Sequence, residues 1–108
     1  DLDGAITDYT EAIRLDPTNK WPYNRRGYVR LAQGDHDGAI ADSTEAIRLD
    51  PADAIVYTNR GTARLKQGDH EGAIADFEKA LRLNPNDMTA YFSREVALKA
   101  MGGLSVKD

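Results

Sequence analysis

Residues 18–51 read TNKWPYNRRGYVRLAQGDHDGAIADSTEAIRLDP, and residues 52–85 read ADAIVYTNRGTARLKQGDHEGAIADFEKALRLNP. The two segments align without a gap and are identical at slightly more than half of their positions. Upstream, DLDGAITDYTEAIRLDP (1–17) matches the second half of the unit, and downstream NDMTAYFSREVALKAMGG (86–103) matches the first half. Pro17, Pro51 and Pro85 therefore mark a strict 34-residue period. A repeat of this length implies a stack of one supersecondary unit, because a single such unit cannot bury its apolar face alone.

Each unit reads as two helices. Gly34 and Gly68 break the chain between them, since glycine enters the left-handed conformation that ends a helix at little cost. Asp35 and Asp69 follow, where a side-chain oxygen caps the next helix. Ala39, Ile40, Ser43, Ala46 and Ile47 recur at spacings of three and four, an amphipathic stripe. Asp50-Pro51 closes the unit, because proline disfavours helical geometry in the residue before it. The pattern predicts six helices, at about 3–15, 20–33, 36–49, 54–67, 70–83 and 87–101. The fold class is all-α, an α-solenoid of stacked antiparallel helix pairs: two complete 34-residue units flanked by half-units. One domain covers 1–108, with 1–17 the second helix of a partial unit, 18–51 and 52–85 the complete units, 86–103 the first helix of another partial unit, and 104–108 a tail.

The composition limits what such a stack does. A net charge of −4, with Lys and Arg scattered along the sequence, argues against nucleic acid, which needs a basic surface to follow phosphates. The absence of cysteine removes disulfides, thiolate metal sites and cysteine nucleophiles. No apolar run approaches the roughly twenty residues of a membrane span. The chain opens at Asp1 with neither Met nor a signal-like segment, as a piece of a longer chain would, so location is not read from it and cytoplasmic is only the default expectation.

The repeat resembles the tetratricopeptide family. That family's pattern has an aromatic, Gly four residues on, a small residue twelve further, an aromatic four later, Ala three later and Pro five later. Here it is Tyr23, Gly27, Ala39, Ser43, Ala46, Pro51 in the first complete unit and Tyr57, Gly61, Ala73, Phe77, Ala80, Pro85 in the second. The leading half supplies Ala5, Tyr9, Ala12 and Pro17, and the trailing half supplies Tyr91. Ser43 departs from the pattern in place of an aromatic, and Glu95 in place of glycine. Gly27 is expected to face Ala39, and Gly61 to face Ala73, so that paired helices approach closely while Tyr23, Tyr57 and Phe77 fill the wider ends. Arg26, Arg60 and Arg94 each follow the aromatic by three, and Asp8, Asp42 and Asp76 recur in phase on the second helices. Pairing each Arg with the Asp of the preceding unit would use all six.

Candidate chemistry is sparse. His36 and His70 share a phase, but equivalent sites on stacked helices stand about 10 Å apart, and zinc needs ligands near 2 Å. Asp35-His36-Asp37-Gly38 and Asp1-Leu2-Asp3-Gly4 look like the opening of a calcium loop but lack its further oxygen donors, so helix capping is the expected role. No serine sits in a nucleophile context, and the glycines form no phosphate cradle. Neither metal, cofactor nor catalysis is expected.

What the resemblance implies is a protein-interaction scaffold, with the first helix of each unit lining a concave groove. By phase the groove positions are Trp21, Asn24, Arg25, Tyr28 and Leu31; then Ile55, Thr58, Asn59, Thr62, Leu65 and Lys66; then Thr89, Phe92, Ser93, Val96 and Lys99. Trp21 and Tyr28 lie two turns apart on one stripe, off the core pattern, and aromatics of this kind are enriched at hot spots; alternatively, Trp21 covers the first inter-helix seam. The groove reads as aromatic at its ends, polar in its middle and roughly neutral. The family's two-carboxylate clamp, which grips the C-terminal acid of heat-shock chaperones, needs a Lys and an Asn in one unit, an Asn in the next, and a Lys and an Arg in the third; here those positions are Asn24 and Tyr28, then the matching Asn59, then Thr89 and Ser93. None of these is cationic, so binding of that type is not expected. A ladder of asparagines along a peptide backbone would have one rung, Asn59, with Arg25 and Ser93 at its equivalents. The expected partner is a protein or peptide. The alternative is a weak homo-oligomer, with the terminal helices of different copies meeting through Ala5, Tyr9 and Ala12 on one side and Tyr91 and Leu98 on the other.

Overall fold

The computed structural model describes residues 1–102. It holds six helices: α1 Leu2–Leu15, α2 Lys20–Ala32, α3 His36–Leu49, α4 Ala54–Lys66, α5 His70–Leu83 and α6 Met88–Ala100. No strand occurs among the described residues, and each boundary falls within one residue of the expected position. None of these helices is long and apolar enough to cross a membrane. Gly102, just past α6, has φ +113°, and Gly103 and the tail 104–108 lie outside the described residues.

The turns follow from the residues that make them. Gly34 and Gly68 carry φ of +83° and +86°. Each lets the chain reverse so that its own N–H and that of the next residue satisfy the last carbonyls of the helix before: Gly34 N–H donates to Leu31 and Asp35 N–H to Arg30. The following aspartate caps the next helix, Asp35 on the Gly38 N–H and Asp69 on the Gly72 N–H. Asp1 plays the same part for Gly4. Both sequences that look like calcium loops are thus helix caps. Asp16, Asp50 and Asn84, each before a proline, leave helical geometry with φ between −142° and −148°.

Helices pack antiparallel with their sequence neighbours, and α2 also touches α4, and α4 touches α6. The second helices α1, α3 and α5 make no such contacts with one another. The first helices therefore stand closer together and form the inside of the curve, in a stack 52 Å long and 18–25 Å across.

The core is built on alanines and two aromatic rings. Ala73, Phe77, Ala80 and Ala90 are fully buried with Tyr57 beside them, and the Tyr57 hydroxyl donates to the Pro51 carbonyl. A Cβ placed on Gly61 would lie 2.7 Å from Cε1 of Phe77. The nearest atoms at Gly61 are therefore those of the Phe77 ring, ahead of the Ala73 that phase put opposite it, because the aromatic reaches back across its own helix pair. At Gly27 the nearest atoms are Cβ of Asp42 (3.1 Å) and the Ala39 carbonyl (3.4 Å). The contact is gentler there because Ser43 stands where the second unit has Phe77.

The arginine–aspartate pairs form, but within units and not between them. Arg26 grips Asp42 through Nε (2.9 Å) and Nη2 (2.7 Å), and Arg30 adds a contact to the same carboxylate at 3.0 Å. Arg60 and Arg64 repeat this on Asp76 at 3.0, 2.8 and 2.9 Å. Each aspartate is almost fully buried, and two guanidiniums are what make such a buried charge tolerable. The reach to the preceding unit is through hydroxyls: Arg26 Nη1 donates to Thr10 and Arg60 Nη1 to Thr44. The period places the partner of Arg94 at position 110, past the 108 residues, and Arg94 Nε is buried with no acceptor among the described residues.

Candidate functional site

The inside of the curve carries two adjoining depressions. The first, of about 240 Å³, is lined by Tyr9, Trp21, Asn24, Arg25, Tyr28, Val29, Ile55 and Asn59. The second, of about 430 Å³, is lined by Tyr28, Leu31, Ala32, Gly34, His36, Thr62 and Lys66. Tyr28 lies on both, so they form one continuous trough along α2 and α4. The first depression is below the roughly 300 Å³ at which small-molecule pockets begin, a size suited to a side chain of a larger partner.

Helix phase explains which side chains arrive there. Trp21, Asn24, Arg25 and Tyr28 follow the three- and four-residue spacing of one face of α2, and Ile55, Asn59, Thr62 and Lys66 do the same on α4. The opposite faces are committed to the core through Tyr57 and to the buried pairs through Arg26 and Arg60. Trp21, Tyr28 and Ile55 are at least half exposed. The Trp21 indole has the Lys20 ammonium 4.9 Å and the Arg25 guanidinium 6.0 Å from its centroid. Lys20 is held by Asp50 and, at 3.8 Å, by Asp53. The bond to Asp50 lifts Lys20 above the ordinary ammonium range and lowers Asp50 below the ordinary carboxylate range.

Not every expected groove position is open. Thr58 is buried, and its hydroxyl donates to Asp87 at 2.8 Å, tying α4 to the start of α6. Leu65 packs against the core. Thr89, Phe92, Ser93 and Val96 on α6 line neither depression; Phe92 and Val96 are exposed, and Phe92 meets Tyr91 edge to face at 5.3 Å. Tyr9, read from the sequence as part of a terminal face, turns into the first depression beside Trp21. Val29 and His36 line the trough without having been picked out for it. For His36 the signal was its place just past the Gly34 turn.

The trough is also not neutral. Arg25 and Lys66 line it, and no carboxylate does. The neighbouring acids are spent on other contacts: Asp53 on Lys20 and the Ile55 N–H, Asp87 on Thr58 and the Ala90 N–H. Among the described residues no group of three His, Asp or Glu could hold a metal ion.

The sequence matches the tetratricopeptide repeat over residues 54–87 and the TPR repeat over residues 1–34 and 27–68. The chain belongs to the tetratricopeptide repeat family. Solved TPR domains have the same architecture. The first TPR of Spaghetti (RPAP3), bound to the HSP90 peptide SRMEEVD, is 28% identical with a TM-score of 0.92, over 94% of this chain and 80% of its own. The Arabidopsis OM64 TPR domain is 34% identical with a TM-score of 0.89, over 91% and 81%. The second TPR domain of human RPAP3, in complex with the HSP70 peptide SGPTIEEVD, is 31% identical with a TM-score of 0.86, over 89% and 80%. No curated protein sequence matches this one.

Proposed function

We propose that this TPR chain is a non-catalytic binding module that takes a segment of a partner protein into the trough between α2 and α4. The observation behind it is the convergence of Trp21, Tyr28 and Ile55, three large apolar side chains left exposed by two helices, on one depression beside the amides of Asn24 and Asn59. Exposed apolar groups gathered in this way mark interaction sites, and the amides suit a peptide backbone. The peptide complexes of the RPAP3 domains support the general mode. Their C-terminal EEVD ligands are a poorer guide to the chemistry, since Asn24, Tyr28, Thr89 and Ser93 offer a terminal carboxylate no cation. The test is selection from a displayed random-peptide library, followed by titration of a selected peptide made synthetically. Trp21→Ala should weaken it by about ten-fold or more, as hot-spot truncations do. A peptide whose affinity is indifferent to both Trp21→Ala and Ile55→Ala binds elsewhere, and the trough reading is then wrong.

A second reading, self-association of α6 on α1 of another copy, rests on charge. Arg94 Nε has no acceptor, and Asp8 has no ion-pair partner among the described residues although it stands in phase with Asp42 and Asp76. Light scattering at several concentrations tests it. Association should vanish in Asp8→Arg and return when that variant is mixed with Arg94→Asp; a chain monomeric at every concentration excludes it.

A further inference from the structure

The charge of the trough says more about its ligand than its shape does. Helices α2 and α4 together carry seven cations: Lys20, Arg25, Arg26, Arg30, Arg60, Arg64 and Lys66. Five of them are neutralised inside the chain: Lys20 by Asp50 and Asp53, Arg26 and Arg30 by Asp42, Arg60 and Arg64 by Asp76. The two left without a carboxylate among the described residues are Arg25 and Lys66, and these are the two that line the trough. They flank Tyr28, one in each depression. The chain as a whole is acidic, with 18 Asp and Glu against 14 Lys and Arg. A carboxylate-free strip on such a chain is a local reversal of sign.

We propose that the trough selects an internal acidic segment of a partner protein, in which a large apolar residue is flanked by aspartates or glutamates. The inference rests on the trough being the binding surface. The apolar residue would enter the depression of Trp21, Tyr28 and Ile55, and the flanking carboxylates would meet Arg25 and Lys66. Arg25 is suited to this, because its guanidinium already lies against the Trp21 ring and gives up little freedom on pairing. A basic segment would meet uncompensated like charge at both ends of the same apolar contact, and that repulsion supplies the discrimination. The carboxylates are those of side chains and not of a chain terminus, because the cations stand along the trough and not at the clamp positions.

The library that tests this is one of random twelve-residue peptides fused at both ends, so that none carries a free C-terminal carboxylate. Peptides selected on the wild-type chain should be enriched in Asp and Glu around Trp, Phe or Leu. Selection on Arg25→Glu/Lys66→Glu should shift the pool toward Lys and Arg. For one selected peptide, Arg25→Gln and Lys66→Gln should each weaken binding roughly two- to five-fold at low salt, the size expected of an exposed pair, and added salt should narrow the difference. A wild-type pool with no excess of acid over the starting library overturns the proposal. If that pool still depends on Trp21, the trough reading survives and only the acidic ligand falls. If an acidic pool is enriched but is indifferent to Trp21→Ala and Ile55→Ala, the acids are read elsewhere and both readings fall.

Discussion

Arg60 and Arg94 occupy the same position of successive repeats, yet they should respond oppositely to replacement by leucine, the residue the tetratricopeptide pattern often carries there. Arg60 is largely buried, donates to both oxygens of Asp76 at 3.0 and 2.8 Å and holds Thr44 at 3.2 Å. In Arg60→Leu the Asp76 carboxylate keeps only Arg64 on Oδ2, and Oδ1 is left buried without its donor. Breaking a buried pair costs about 3–5 kcal/mol, less here because Arg64 remains, and the buried leucine returns about 1–2 kcal/mol. The net loss should be about 2 kcal/mol, or roughly 10 °C in the melting midpoint of a chain this size. Among the described residues Arg94 has a buried Nε with no acceptor, and its nearest carboxylate there is Glu95 at 3.7 Å. Arg94→Leu removes an unsatisfied donor and loses no strong bond, so it should stay within about 0.5 kcal/mol of wild type or gain. Thermal unfolding followed by far-UV circular dichroism, at low protein concentration, reads both. Equal losses at the two sites, or a larger loss at Arg94, would refute the view that the in-unit aspartate decides what this arginine is worth.

The glycines should separate in the same assay. Gly61→Ala meets the Phe77 ring at 2.7 Å and should destabilise by about 1–3 kcal/mol, while Gly27→Ala, which meets Asp42 Cβ at 3.1 Å, should come out near zero once the better helix propensity of alanine is counted. Gly34→Ala has open space around it but sits at φ +83°, and should cost about 1 kcal/mol through the backbone alone. The HSP90 peptide SRMEEVD should show no saturable binding by calorimetry at concentrations up to about 100 μM; tight binding would mean that cations outside the clamp positions hold its terminus. Finally, Lys20 and Asp50 stabilise the fold between the lowered carboxylate and the raised ammonium, so their contribution is lost as pH falls through the Asp50 value or rises through the Lys20 value. Lys20→Met should therefore flatten the acid side of the stability curve below the ordinary carboxylate range, and an unchanged acid limb would show the pair to be idle.

Helix boundaries were legible in the sequence because each is fixed by residues adjacent to it. Gly34 needs its positive φ, Asp35 needs only the N–H three residues on, and Asp50 is set by the proline that follows it. Contacts across the stack were less legible because period alone cannot say which of two equidistant neighbours a side chain takes. Arg26 lies sixteen residues before Asp42 and eighteen after Asp8, and both stand in phase. The antiparallel packing of α2 on α3 decides between them, and the threonine two residues past Asp8 receives the remaining donor. Phase likewise put Ala73 opposite Gly61, where the long reach of the Phe77 ring wins.

The trough shows the same limit for charge. Helix phase placed its positions on α2 and α4, and these line the two depressions except Thr58, whose hydroxyl Asp87 claims, and Leu65, which packs on the core; the positions expected on α6 line neither. Its sign was readable, although the groove was expected to be roughly neutral: α2 and α4 carry seven Lys and Arg and no Asp or Glu. What the sequence did not show is which of those cations stay free to meet a partner. Folding removes charges in pairs, and it removes them unevenly: Asp42 and Asp76 each take two arginines from the first helices into the core, Asp50 and Asp53 take Lys20, and Asp87 turns to Thr58 and a helix cap. What remains along α2 and α4 is Arg25 and Lys66. The charge a partner meets is thus a remainder after internal pairing, which is why Arg26 and Arg25, adjacent in the sequence, end with opposite roles, one spent on holding the repeat together and the other left facing the trough.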